Sequence, residues 1–130
     1  MTPAKGVRVV VADNDPVVLD LLATDLGLEG YDVIATVPSG EAAAEVCAER
    51  RPDVLIVDYR MPPGWNGLET IARIKEAHGA GAYVLYTNYR LPDLRRRAER
   101  LGAVFVSKGP LRTLRAVLAD VAPRQVTNGR

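Results

Sequence analysis

Apolar residues along this chain fall into five short runs spaced about 25 residues apart, at 7–12, 31–37, 54–57, 82–86 and 103–106. Val, Ile and Tyr dominate them, which suits strands that are covered on both faces. The stretches between them change period. In 16–28, Val18, Leu21, Leu22 and Leu26 recur at helical spacing. Leu68, Ile71, Ala72 and Ile74 do the same in the third stretch, and Leu111, Leu114, Val117, Leu118 and Val121 in the last. Strand and helix therefore alternate five times.

Punctuation supports the division. Asp15-Pro16 reads as an N-cap followed by proline at the first helical position. Ser39 precedes the run 40–51, and Pro52 follows it. Pro92-Asp93 opens an arginine-rich stretch that Gly102 closes. Alternating strands and helices with short connections predict an α/β fold, a parallel sheet with helices on both faces. Right-handed crossovers reduce the topology to a doubly wound five-stranded sheet in the order 2-1-3-4-5. Residues 1–122 form the domain, and 123–130 read as a polar C-terminal tail.

Composition narrows the class without changing that picture. At 130 residues, 48% hydrophobic and 25% charged, the chain suits one globular domain. Its apolar runs are too short to span a membrane, and MTPAKG does not resemble a signal peptide. The lone Cys47 excludes an internal disulfide and points to the cytoplasm; its helical neighbours make it a packing residue. His78, at a polar helix end, is expected to face solvent. Net charge is +1, yet residues 1–65 hold 5 Lys/Arg against 11 Asp/Glu, and residues 66–130 hold 12 against 5. Two differently charged faces follow. Few aromatics and no binding motif argue against direct nucleic-acid binding.

Sites in open α/β sheets form beyond the carboxyl ends of the strands, where strand order reverses. Here the first strand ends in Asp13, the third in Asp58, the fourth in Thr87 and the fifth in Ser107-Lys108. Asp13 and Asp58, with Asn14 or Asp15, offer the hard oxygen ligands that suit Mg²⁺. One carboxylate can attack phosphorus while Lys108 and Thr87 hold the phosphoryl oxygens. Each residue also has a plainer reading: Asp15 as a helix cap, Lys108 as a turn lysine, Thr87 as an ordinary strand end.

The stretches VVVADNDP, LIVDYRMP, YVLYTNY and AVFVSKGP together resemble the receiver domain of two-component response regulators, over residues 7–122. The resemblance implies a flavodoxin-like (βα)5 fold and a phosphorylation-dependent switch. Asp58 would accept a phosphoryl group from a sensor histidine kinase or histidine phosphotransfer protein. Asp13, Asp58 and the backbone carbonyl of Arg60 would hold Mg²⁺, Thr87 and Lys108 would engage the phosphoryl group, and Phe105 would be the aromatic switch. The protein would be no enzyme beyond catalysing its own phosphorylation and dephosphorylation. The helix 4–strand 5–helix 5 face, rich in arginine, would take an acidic partner or form a homodimer.

Two departures stand out. Asn14 occupies a position where the family usually carries a second acid, so it is at best a weak metal ligand. The loop MPPGWNG is one residue longer than usual, which predicts Trp65 close to the site, with Tyr89 bulky at its rim. Two other functions compete: a pseudo-receiver that binds without phosphorylation, and a haloacid-dehalogenase-like phosphatase with Asp13 as nucleophile and Asp15 as general acid. The chain reads either as a single-domain regulator or as a receiver from a longer protein.

Overall fold

A computed structural model describes residues 6–122; the polar tail expected at 123–130 lies outside them. Five strands, β1 (Arg8–Ala12), β2 (Asp32–Val37), β3 (Val54–Val57), β4 (Ala82–Thr87) and β5 (Val104–Ser107), alternate with five helices. These are α1 (Pro16–Leu28), α2 (Gly40–Arg50), α3 (Gly67–Glu76), α4 (Leu94–Arg100) and α5 (Leu111–Val121). All strand pairs are parallel, and the order is β2-β1-β3-β4-β5, as the pattern predicts.

Continuous apolar strands feed two cores at once because successive side chains point to opposite faces. Val10, Ala12, Leu55, Val57 and Leu85 pack with Ala43, Cys47, Ile71, Ile74 and Ala98 on one side of the sheet. Val9, Val11, Val54, Ile56, Val84 and Val106 pack with Leu22, Leu26, Leu114 and Leu118 on the other. Each fully buried aliphatic side chain contributes about 1.5–3 kcal/mol relative to exposure, so these two layers dominate the stability.

Helix starts follow the cap signals. The Asp15 carboxylate accepts the Val17 N–H at 2.9 Å with Pro16 in the first turn. Ser39 Oγ accepts the Ala42 N–H at 3.1 Å. Asn66 and Glu69 form a reciprocal capping box at α3, which the sequence reading did not anticipate. Asp93 makes no side-chain cap bond at α4, and that helix is short.

Two apolar residues are not where helical spacing alone placed them. Leu21 does not join Leu22 and Leu26 in the core; it is 51% exposed. At about 100° per residue, positions 22 and 26 share a face while 21 turns away with 17 and 28. Ala72 likewise faces solvent beside buried Ile71. Cys47 is buried as expected, and burial pushes its thiol up to about 11, so it packs rather than reacts. His78 is exposed, with its backbone in the left-handed region just past α3.

Candidate functional site

The ladder between β1 and β3 sets two carboxylates side by side. Ala12 pairs with Val57, and the Asp58 N–H donates to the Ala12 carbonyl at 3.0 Å. On the other side, the Asp13 N–H donates to the Val37 carbonyl at 3.0 Å. Asp13 and Asp58 therefore leave adjacent strands at the same edge. Thr87 ends β4, and the Lys108 N–H donates to the Thr87 carbonyl at 3.1 Å. The four residues that sequence reasoning placed at strand ends are thus brought to one edge.

Lys108 closes the site. Its ammonium donates to Asp13 Oδ2 at 2.8 Å and to Asp58 Oδ2 at 3.2 Å, reaching across β4 from β5. A four-carbon stem makes that reach possible and puts a compact charge between two acids. The remaining carboxylate oxygens are also bonded. Asp13 Oδ1 accepts the Asp15 N–H at 2.9 Å, and Asp58 Oδ1 accepts the Tyr59 N–H at 2.7 Å.

Burial shapes the protonation of this cluster. Asp13 is 2% exposed, and burial pushes its carboxyl above the usual aspartate range, more than the Lys108 and Asp15 hydrogen bonds pull it down. Burial also pulls on the Lys108 ammonium, but the two carboxylates together overcome it, and the group is held up. A buried acid and its cation therefore both favour a proton in the shared contact. Thr87 is 2% exposed, and its hydroxyl accepts the Tyr89 N–H at 3.1 Å.

The donor set is oxygen only, with two carboxylates at its centre and Asn14 exposed alongside. No cluster of three acidic, histidine or cysteine side chains exists among the described residues. Two carboxylates, a backbone carbonyl and several waters are what Mg²⁺ accepts, so the residues fit that ion. Asp15 caps α1, its carboxylate accepting the Val17 N–H, which is the plainer of the two readings the sequence offered for it.

The entry of α3 depends on one glycine. A Cβ on Gly67 would lie 2.3 Å from the Asp58 carbonyl oxygen, and the Gly67 N–H donates to the Tyr59 carbonyl at 2.7 Å. Only a residue without a side chain lets the loop approach Asp58 this closely. Trp65, which the loop length places near the site, makes two contacts of its own. Its backbone N–H donates to Glu41 Oε2 at 3.0 Å, and the Arg73 guanidinium lies 4.5 Å from its ring centroid. These two anchors turn it toward α2 and α3.

The rim is formed by Tyr89, as anticipated, and by Tyr59, which sequence reasoning missed although an aromatic directly after the strand-end acid was visible. Their rings stack with centroids 5.1 Å apart. Phe105 is half-buried, with the Arg95 guanidinium 4.7 Å from its ring. Both line a cavity of about 530 Å³ that also meets Lys108. The expected basic face is smaller than the sequence suggests. Arg95, Arg96, Arg97, Arg100 and Arg112 are exposed, but Arg115 turns to Asp25 of α1 at 2.7 Å.

Comparison with known proteins agrees with the fold. The family model described as the response regulator receiver domain matches residues 9–118. A probable transcriptional regulatory protein NarL of Mycobacterium tuberculosis is 32% identical over 124 residues, 92% of this chain and 57% of that protein. A protein-glutamate methylesterase/protein-glutamine glutaminase of Haloarcula marismortui is 41% identical over 71 residues, 55% of this chain and 19% of that protein. The chain thus spans only part of the length of these curated relatives. Among solved structures, the signal receiver domain of the putative response regulator NarL from M. tuberculosis superposes with a TM-score of 0.79 at 30% identity. That match covers 97% of this chain and 99% of the other.

Proposed function

This chain belongs to the response-regulator receiver family of two-component systems, and from that premise we propose that it is a switch that accepts a phosphoryl group on Asp58. The observation that carries the reading is the single ammonium of Lys108 held between Asp13 and Asp58, with the Thr87 hydroxyl on the intervening strand end. Asp58 is the more open of the two acids, at 12% side-chain exposure against 3% for Asp13. A nucleophile must be reached by its donor; a buried acid is better suited to holding charge in place.

In the proposed reaction a carboxylate oxygen of Asp58 bonds to phosphorus as the P–N bond of a donor phosphohistidine breaks. The electron pair stays with the imidazole, which takes up a proton. Lys108 and Thr87 supply donors to the phosphoryl oxygens as charge shifts onto them. Mg²⁺, held by Asp13, Asp58 and the Arg60 carbonyl, would add positive charge beside the same oxygens, with Asn14 as a neutral and weak neighbour. Thr87 must give up its bond from the Tyr89 N–H to turn toward the phosphoryl group. That exchange moves the loop before α4 and reaches Phe105 through the shared cavity.

The test is direct. Purified protein incubated with Mg²⁺ and acetyl phosphate or phosphoramidate should gain about 80 Da, stable in acid and lost in base, the mass of one phosphoryl group. An unchanged mass with both donors sinks the reading. It would favour the second one, a receiver fold that binds without phosphorylation, for which Asn14 is the supporting observation.

Asn14 also allows a graded prediction. Asn14→Asp adds a negative charge next to Asp13, where it should tighten Mg²⁺ binding by about tenfold. Isothermal titration measures it. Unchanged affinity would mean that Asp15 leaves its cap position to supply the charge.

The donor protein has a fitting surface on α1. Val17, Leu21 and Leu28 are 72%, 51% and 82% exposed and line one side of the helix from its start beside Asp13. Large apolar side chains left in water along one stripe suit a partner helix. Leu21→Asp should slow phosphotransfer from a phosphohistidine protein by about tenfold or more while leaving uptake from acetyl phosphate unchanged. Equal effects on both donors would remove α1 from the docking surface. The arginines of α4 fit an acidic output partner or a homodimer contact.

A further inference from the structure

Helices α2, α3 and α4 lie side by side on one face of the sheet. Ala43 and Cys47 of α2, Ile71 and Ile74 of α3, and Leu94 and Ala98 of α4 share one core. α2 packs over β1 and β2 and α4 over β5, so α3 runs between them. The layer is pinned together. A Cβ on Gly40 would collide with the Thr70 hydroxyl, so α2 and α3 touch closely. The Lys75 ammonium of α3 donates to the Leu101 carbonyl at the end of α4.

The outer surface of this layer changes charge from one side to the other. At about 100° per residue, Glu45 and Glu49 stand opposite the buried Ala43 and Cys47 of α2, and both are exposed. Arg96 and Arg100 stand opposite Leu94 and Ala98 of α4 and are likewise exposed. On α3 between them, Glu69, Ala72, Arg73 and Glu76 are exposed, of mixed sign around one small side chain. Neither row meets its opposite charge within the chain. The salt bridges among the described residues join Lys108 to Asp13 and Asp58, and Arg115 to Asp25. Like charges four residues apart weaken a helix. Two such rows, of opposite sign and equal spacing, call for a counterpart outside the chain.

We propose that this face is a dimer interface: a second copy of the chain lays its α2 glutamates on the α4 arginines and receives the same contact in return. A two-fold axis running along the helices achieves both. It reverses the order of the three helices, sets α2 of each copy on α4 of the other, and keeps them parallel. α3 then meets α3, where exposed Ala72 lets the backbones approach. Each row spans one i to i+4 step, about 6 Å of helix, so the two can align. The contact closes at two copies, because every row is used once. A contact of α4 with α4 would instead set arginine against arginine, which repels. Nothing in this interface depends on Asp58, so it stands apart from the phosphoryl switch.

Sedimentation equilibrium of the full chain tests it. At low salt the parent protein should approach twice the monomer mass as concentration rises, and salt of about 0.5 M should weaken association about tenfold. Reversing the arginine row (Arg96→Glu with Arg100→Glu) or the glutamate row (Glu45→Arg with Glu49→Arg) should each weaken it about 100-fold. Mixing those two variants should restore a dimer with one copy of each, because each now carries rows of a single sign. The variant with both rows reversed should dimerise alone. Restored association is a gain that damage to the fold does not supply. The interface is overturned if neither the mixture nor the doubly reversed variant associates, or if either single reversal leaves the dimer intact. A parent protein that stays monomeric at low salt overturns it too, and binding of poly-glutamate to that monomer, lost on Arg96→Glu with Arg100→Glu, would give the α4 face to an acidic partner. A mass that climbs past two copies overturns the two-fold arrangement.

Discussion

Asp58→Asn is expected to abolish phosphoryl uptake, reducing the mass adduct to background with every donor. The amide matches the carboxylate in shape, so β3 and its bond to the Ala12 carbonyl should be kept. Its oxygen can still accept from Lys108. What disappears is the nucleophile: a neutral amide oxygen does not displace a leaving group from phosphorus. Asp13→Asn should behave differently. It leaves the Asp58 carboxylate paired to Lys108 at 3.2 Å, and removes only the acid that is 2% exposed. Uptake should slow, with the adduct still mapping to Asp58. The opposite outcome, an adduct that survives Asp58→Asn and is lost in Asp13→Asn, would make Asp13 the acceptor. It would revive the phosphatase-like reading that the cap role of Asp15 now opposes.

Lys108→Ala should have the next largest effect, and on two observables. Phosphoryl uptake should fall about 100-fold, the scale seen when one charge-stabilising donor is removed from a reaction centre. Stability should fall as well. Asp13 would keep the Asp15 N–H but lose its ion pair, and burial already weighs against its charged form. Removing one partner of a fully buried pair costs about 3–5 kcal/mol; with Lys108 at 16% exposure, about 2 kcal/mol is the expected loss. Chemical denaturation with chelator present measures it. Mg²⁺ should then restore more stability to the variant than to the parent, because a second cation can take the position between the acids. Equal gains in the two proteins would show that Lys108 and the metal do not share that position.

The two variants also separate the roles that one contact combines. Asp58 acts through its electrons and Lys108 through its charge. The first should therefore fail with every donor, and the second should retain slow turnover at high donor concentration.

Periodicity carried most of the fold because each element has to bury a defined face. A strand covered on both sides must be apolar throughout, and a helix covered on one side must repeat near every third or fourth residue. Those demands are local, and Val9 to Ala12 or Leu114 and Leu118 meet them without reference to partners. The strand order followed from the handedness of crossovers. Asp13, Asp58, Thr87 and Lys108 were legible as a set because all parallel strands end at one edge. Caps at Asp15 and Ser39 were legible for the same local reason: a short polar side chain satisfies an N–H two or three residues on.

Other features depended on distances between residues far apart in the chain, which no spacing reports. Lys108 and Asp13 are 95 residues apart, and only the sheet brings the ammonium to both acids. Trp65 could be placed near the site by its loop, but Glu41 and Arg73, from two other helices, decide where it rests. Arg115 looked like part of a basic face until Asp25 claimed it. The Tyr59–Tyr89 stack joins two loops that sequence reasoning treated separately. The sequence by itself determined the type and order of the elements, which edge carries the acids and which family pattern they follow, since backbone geometry and hydrophobic periodicity act over a few residues. Only the tertiary structure decided which charges meet, which aromatics cover the site and which apolar residues stay in water, because these depend on where whole elements come to rest against one another.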